Sequence, residues 1–188
     1  MILPCRNKEQ HIISLFKKGN LHAMDKLYME YADYLTGVCA RYISDEDEVK
    51  DVLQDSFIKI FTQIHLFEYR GKDSLKAWIT KVVINEALVH LRQSKTFFVS
   101  LQESDIGDFL DEESDVECID SDILYSFIQR LPPGYRAVFN LFVIEEKSHK
   151  EIAEILQIQP ATSASQFLRA RKLLAEMIRE YKHQMENR

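Results

Sequence analysis

The chain has 188 residues, 46% hydrophobic and 29% charged, a composition that fits a soluble globular protein and excludes a disordered one. Five glycines and four prolines are too few for a glycine-rich phosphate loop or a turn-dense all-β fold, and no apolar run approaches the roughly 20 residues of a membrane span. The net charge of −6 hides three unequal parts: residues 1–99 sum to +1, residues 100–128 to −10 and residues 129–188 to +3. With its acidic middle set aside the chain is mildly basic, so a nucleic-acid partner stays open. Cys5, Cys39 and Cys118 are odd in number and widely spaced, and Met1–Asn7 lacks the apolar core of a secretory signal. Both features predict a reduced, cytoplasmic protein without a disulfide frame or zinc site.

A short helix is expected near Lys8–Lys18, then a long one from Asn20 to Ile43 with Leu27, Tyr31, Tyr34, Leu35 and Val38 on one face. Ser44, with Asp47 three residues on, has the spacing of a capping box. Asp45, Glu46, Asp47 and Glu48 load the following first turn with negative charge, where the helix dipole favours it. Val49, Val52, Leu53, Phe57, Ile60, Phe61 and Ile64 then form a buried stripe, and Asp51 and Asp55 lie one turn apart on the other side. The next helix runs from about Ser74 to Arg92, capped by Asp73 or Ser74 and buried through Leu75, Ile79, Val82 and Leu91.

Residues 70–95 carry Arg70, Lys72, Lys76, Lys81, Arg92 and Lys95 against only Asp73 and Glu86, beside Tyr69 and Trp78. Positive charge with stacking rings suits single-stranded or distorted nucleic acid. Trp78 taken alone fits a core position as well. The first block thus pairs an acidic face with a basic one, an arrangement that dipole complementation and solubility also explain.

Ser100–Asp122 contains no Lys, Arg or His, and its mutually repelling acids read as a tether. It is either simply solvated or a tail that competes with DNA for a basic surface. Beyond it a helix from Asp122 to Leu131 stops at Pro132-Pro133. Another spans Tyr135–Ile144, buried through Val138, Phe139 and Phe142. Ser148 and Glu151 form a capping box ahead of Ile152, Ala153, Ile155 and Leu156. After the turn Gln157–Gln159, Pro160 suits a first helical position, and the last helix is expected to carry Ala164, Phe167, Leu168, Leu174 and Ile178 inward. Two helices joined by so short a turn make a helix-turn-helix, or else an ordinary hairpin with a solvated basic face. In the first case Thr162, Ser163, Ser165, Gln166, Arg169, Arg171 and Lys172 would meet DNA. Gln157 occupies the turn position that glycine would ease, since a β-carbon costs about 1–2 kcal/mol in a left-handed conformation.

The reading is all-α: two small helical domains, 1–97 and 123–188, joined by an acidic linker at 98–122, the second domain a helix-turn-helix. The six histidines are scattered, with no metal-ligand spacing and no nucleophile-turn context. No enzymatic activity, metal or cofactor is therefore expected.

In Asp51-Val-Leu-Gln-Asp-Ser-Phe57, Arg70-Gly-Lys-Asp-Ser-Leu-Lys-Ala-Trp78, Asn85 and Arg92, then Leu131-Pro132, Tyr135-Arg136, Glu151-Ile-Ala153 and Thr162 through Arg171, the chain resembles the extracytoplasmic-function sigma factors of bacterial RNA polymerase, a group of the sigma-70 family. The resemblance spans about Asn20 to Ile178 outside the tether and lies in the order and spacing of pieces that are individually unspecific. It implies that Asp51, Gln54 and Asp55 bind the polymerase core. It also implies that Arg70, Lys72, Lys76, Trp78, Asn85 and Arg92 recognise and help melt the −10 promoter element, and that the helix-turn-helix, with Thr162, Ser163, Ser165, Gln166, Arg169, Arg171 and Lys172, reads the −35 element. It further implies an anti-sigma protein as inhibitor and no membrane insertion of the chain itself. Ala164, Val89, Ile84 and Gln157 depart from the residues usual in such proteins. The alternative is a free-standing helix-turn-helix regulator whose first block binds a signal or dimerises; a helical scaffold without a DNA role is a third class.

Overall fold

The structure, a computed structural model, describes residues 8–93 and 119–186. The expected tether at 98–122 therefore lies outside the described residues up to residue 118, as do Cys5, Lys95 and Cys118. The described residues form α-helices and one 3-10 turn, with no strand among them. The chain divides into two compact units, Met1–Val89 and His90–Arg188.

In the first unit, α1 (Lys8–Lys17) leads through Gly19, at φ 63°, into α2 (Ala23–Ala40). This second helix starts three residues later than periodicity predicts, because Asn20 folds its side chain onto the His22 amide at 2.9 Å and its carbonyl onto the Ala23 amide at 3.0 Å. Asn20 thereby spends itself on a turn rather than a helical position. Leu27, Tyr31, Leu35 and Val38 are buried as expected, but Tyr34 is 36% exposed. Its hydroxyl end stays at the surface while its ring packs beneath a lysine, as an amphipathic side chain permits.

The next helix, α3 (Glu46–Gln63), is capped by Asp45 and not by Ser44. One Asp45 carboxylate oxygen accepts from the amides of Asp47 and Glu48, both at 3.0 Å. A charged acceptor makes the stronger cap, and the start moves one residue accordingly. A 3-10 turn, Ile64–Leu66, ends the helix, and α4 (Ser74–Gln93) follows, its last turn running past the Val89 boundary of the unit. Leu27, Leu35, Val38, Ile60, Leu75, Ile79 and Val83 are completely buried, each worth about 1.5–3 kcal/mol relative to exposure.

In the second unit, Asp120 caps α5 (Ser121–Arg130) by accepting from the Asp122 amide at 2.9 Å. Leu131 turns out of the helix, Pro133 opens α6 (Pro133–Val143), and the buried Arg136 donates from Nη1 to the Gln129 carbonyl at 2.6 Å. That guanidinium sits against the negative end of α5, where a cation is stabilised. Then come α7 (His149–Leu156) and α8 (Pro160–Glu186). Phe127, Leu131, Tyr135, Ala170, Leu174 and Ile178 pack one core cluster, while Phe142 lies 4.3 Å from Phe167 and 4.6 Å from His149 between ring centroids. Phe139, Phe142, Ala164 and Phe167 are half-buried, and Leu168, expected inward, is 37% exposed. Leu168 sits two residues before Ala170, on the side of α8 away from the core.

Candidate nucleic-acid and protein interfaces

On α3 the buried positions Val49, Val52, Ser56, Phe57 and Ile60 repeat by three and four and make one inward stripe, which leaves the opposite side of the helix facing out. Asp51, Gln54 and Asp55 are all exposed there, and Ile58 continues their line as an exposed apolar side chain. Sequence reasoning missed Ile58, whose only signal is that it falls off the apolar stripe. Two lysines nearby are engaged elsewhere. Lys50 binds Asp47 at 2.7 Å, which holds the Asp47 carboxyl below its ordinary range through that hydrogen bond and its charge, and Lys59 binds Glu86 of α4 at 2.5 Å. The outer face around Asp51 and Asp55 therefore keeps its negative character.

The turn before α4 is built on Ser74. Its Oγ accepts from the Arg70 amide at 3.3 Å and donates to the Gly71 carbonyl at 2.6 Å. Gly71 at φ 127° and Asp73 at φ 64° close it; the first is a conformation that favours glycine. Arg70 and Lys72 are exposed at its tip, with the Arg70 guanidinium 3.7 Å from Glu68. Along the helix Lys76 is half-buried and Asn85 exposed, and Arg92 is half-buried in the last turn. Trp78 is half-buried, its ring 5.3 Å from Phe67 and tilted by 38°. It both packs inward and leaves part of the ring accessible.

In the second unit the Ser148–Glu151 capping box is present in both halves, and hydrogen bonds from Ser148 hold the Glu151 carboxyl below its ordinary range. The turn after α7 is made without glycine: Gln157 takes φ 58°, ψ 45°, its amide and that of Ile158 returning to the Ala153 carbonyl. Of the residues expected to meet DNA, Thr162, Ser165 and Arg169 are half-buried, and Arg171 and Lys172 exposed.

Ser163 and Gln166 are not on that surface. They are 0% and 1% exposed, and Ser163 Oγ lies 3.0 Å from His149 Nδ1. Positions 163, 166, 170 and 174 share the inward face of the helix, so these two polar residues turn inward, and Ser163 joins α8 to α7 through His149. That correction leaves Thr162, Ser165, Arg169, Arg171 and Lys172.

No group of three or more His, Cys, Asp or Glu able to hold a metal occurs among the described residues. Burial pushes the Cys39 thiol up to about 12, which keeps it protonated and unreactive. Among the described residues no helix is long and apolar enough to cross a membrane.

A helical unit with exposed carboxylates on one helix and basic residues on and before the next, in the same chain as a helix-turn-helix, is the layout of a DNA-binding transcription factor. Residues 27–96 match the model of sigma-70 region 2, and residues 121–174 that of sigma-70 region 4. The chain belongs to the sigma-70 family, in its extracytoplasmic-function group.

It is similar to the RNA polymerase sigma-H factor of Pseudomonas aeruginosa, at 26% identity with 93% of this chain and 98% of the relative covered. Against the ECF RNA polymerase sigma factor SigW of Bacillus subtilis the identity is 27%, covering 89% and 95%. Against the ECF RNA polymerase sigma-E factor of Escherichia coli it is 25%, covering 88% and 92%. The sigma factor RpoE of Bartonella quintana, solved with the anti-sigma factor NepR, matches at a TM-score of 0.48 and 20% identity, covering 85% of this chain and 98% of that one.

Proposed function

We propose that this protein is a promoter-specificity subunit that acts only with RNA polymerase core. The exposed face of α3, with Asp51, Gln54 and Asp55, docks on the core. The turn and helix carrying Arg70, Lys72, Lys76, Trp78, Asn85 and Arg92 engage the −10 element. Thr162, Ser165, Arg169, Arg171 and Lys172 meet the −35 element as duplex. The carrying observation is the division of charge in the first unit: carboxylates exposed on α3, and lysines and arginine exposed on and before α4. Oppositely charged surfaces for a protein and a polyanion speed the right encounters and penalise the wrong ones. Inhibition by an anti-sigma protein and action in the cytoplasm belong to the same proposal.

Run-off transcription with purified core and genomic fragments, followed by start-site mapping, tests it. Transcripts must appear from defined promoters only when core and this chain are both present. Asp51→Lys and Asp55→Lys are expected to weaken core binding about tenfold at low salt and less at high salt. Normal core binding by both variants would remove α3 from the interface, and tight operator binding without core would favour a free-standing regulator.

A further inference from the structure

The first turn of α4 carries Lys76, one of the basic residues assigned to promoter contact, and its amide is held from outside the helix. Helix N-termini leave amides without intrahelical partners, and of the two cap candidates, Asp73 and Ser74, the second is committed to the turn through Arg70 and Gly71. The Lys76 amide is met instead from another helix: Glu9 of α1, with 4% of its surface exposed, accepts from it at 3.0 Å. Tyr31 of α2 hydrogen-bonds the same carboxylate, and burial first, then the Glu9 charge, push its hydroxyl above the usual tyrosine range.

The side chain of Lys76 is held from a third direction. Its ammonium lies 4.1 Å above the ring of Tyr34. The Tyr34 hydroxyl is hydrogen-bonded to that of Thr80 at 3.2 Å, and the Thr80 hydroxyl donates to the Lys76 carbonyl at 2.8 Å. Amide, carbonyl and ammonium of one residue are thus each fixed, by groups from α1, α2 and α4. A surface lysine normally surrenders its rotamer freedom when it binds, at a cost to affinity; this one has given up part of that freedom beforehand.

We propose that Glu9 and Tyr34 are positioning residues for promoter recognition: they hold Lys76, and with it the turn Arg70–Ser74, in the form that meets the −10 element. The inference rests on the promoter-contact reading of α4, extends the interface onto two helices outside it, and gives α1 a task in recognition. Neither residue need touch DNA.

The test uses the full chain with polymerase core, on a duplex carrying a promoter mapped with the wild-type holoenzyme and 2-aminopurine in its −10 element. Tyr34→Leu, which removes the ring at a surface position, is expected to weaken promoter binding about threefold, while Tyr34→Phe retains the ring and most of the affinity. Lys76→Met is measured alone and combined with Tyr34→Leu. If Tyr34 acts through Lys76, the double variant is no weaker than Lys76→Met; full additivity overturns the positioning role and points to direct stacking of a base on Tyr34. Glu9→Ala is expected to slow the 2-aminopurine opening signal about tenfold, with core affinity unchanged and with Glu9→Gln, which keeps an acceptor oxygen, restoring most of the rate. Failure of Glu9→Gln to rescue, or equal loss of core binding in Glu9→Ala, overturns the Glu9 part. An unaltered Lys76→Met instead sinks the promoter-contact reading of that residue.

Discussion

Replacing Gln157 by glycine is expected to stabilise the second unit by about 0.5–1 kcal/mol. Gln157 ends α7 at φ 58°, ψ 45° with its side chain exposed. A β-carbon in that conformation costs about 1–2 kcal/mol, and glycine gives back about 0.5–1 kcal/mol through its freer unfolded chain. The backbone bonds of the Gln157 and Ile158 amides to Ala153 need no side chain, so the substitution leaves the turn intact. For a unit of this size the gain corresponds to a rise of about 2–8 °C in midpoint. Differential scanning calorimetry of the full chain, followed transition by transition, reads it directly. Gln157→Ala, which keeps the β-carbon, serves as the control and is expected to gain nothing. A glycine variant no more stable than wild type, or an alanine variant that gains as much, would refute the strain assigned to this turn.

Arg169→Ala is expected to lower affinity for duplex promoter DNA and to reduce the slope of log affinity against log salt by about 1, measured by fluorescence anisotropy across a salt series; an unchanged slope removes Arg169 from the phosphate contacts. The Ser148–Glu151 capping box is expected to make stability depend on pH. Because the folded state lowers the Glu151 pKa from 4.5, its contribution is complete above the ordinary glutamate range and fades as pH falls through the depressed value. Urea midpoints of wild type and Glu151→Gln, which removes the titrating charge at both bonds from Ser148, should therefore differ most near neutral pH and converge on acidification, and a constant difference would contradict the assignment.

Helix positions and buried stripes were legible because apolar residues repeat at helical spacing, and the second capping box was legible because Ser148 and Glu151 stand at the right separation. The first was ambiguous by one residue: Ser44 with Asp47 and Asp45 with Glu48 both fit the template, and the carboxylate of Asp45 decides it. In α8, residue type misled where position would have served. Ser163 and Gln166 look like DNA-facing polar residues, but they fall in register with Ala170 and Leu174. The inward role of Ser163 depends in part on His149, fourteen positions away, which no local pattern reveals. The hold of Glu9 on the Lys76 amide crosses 67 residues and was invisible for the same reason. Tyr34 read as core because an aromatic at the right spacing looks the same whether its hydroxyl is buried or wet.

The inward turn of Ser163 and Gln166 assigns separate duties to opposite sides of one helix. On the proposed −35 contact, changes that retune which bases are preferred can accumulate at Thr162, Ser165 and Arg169 without disturbing the junction that keeps α7 and α8 together. Exchanging those outward positions alone is thus a route to re-addressing the protein to a different set of genes while its architecture stays as it is.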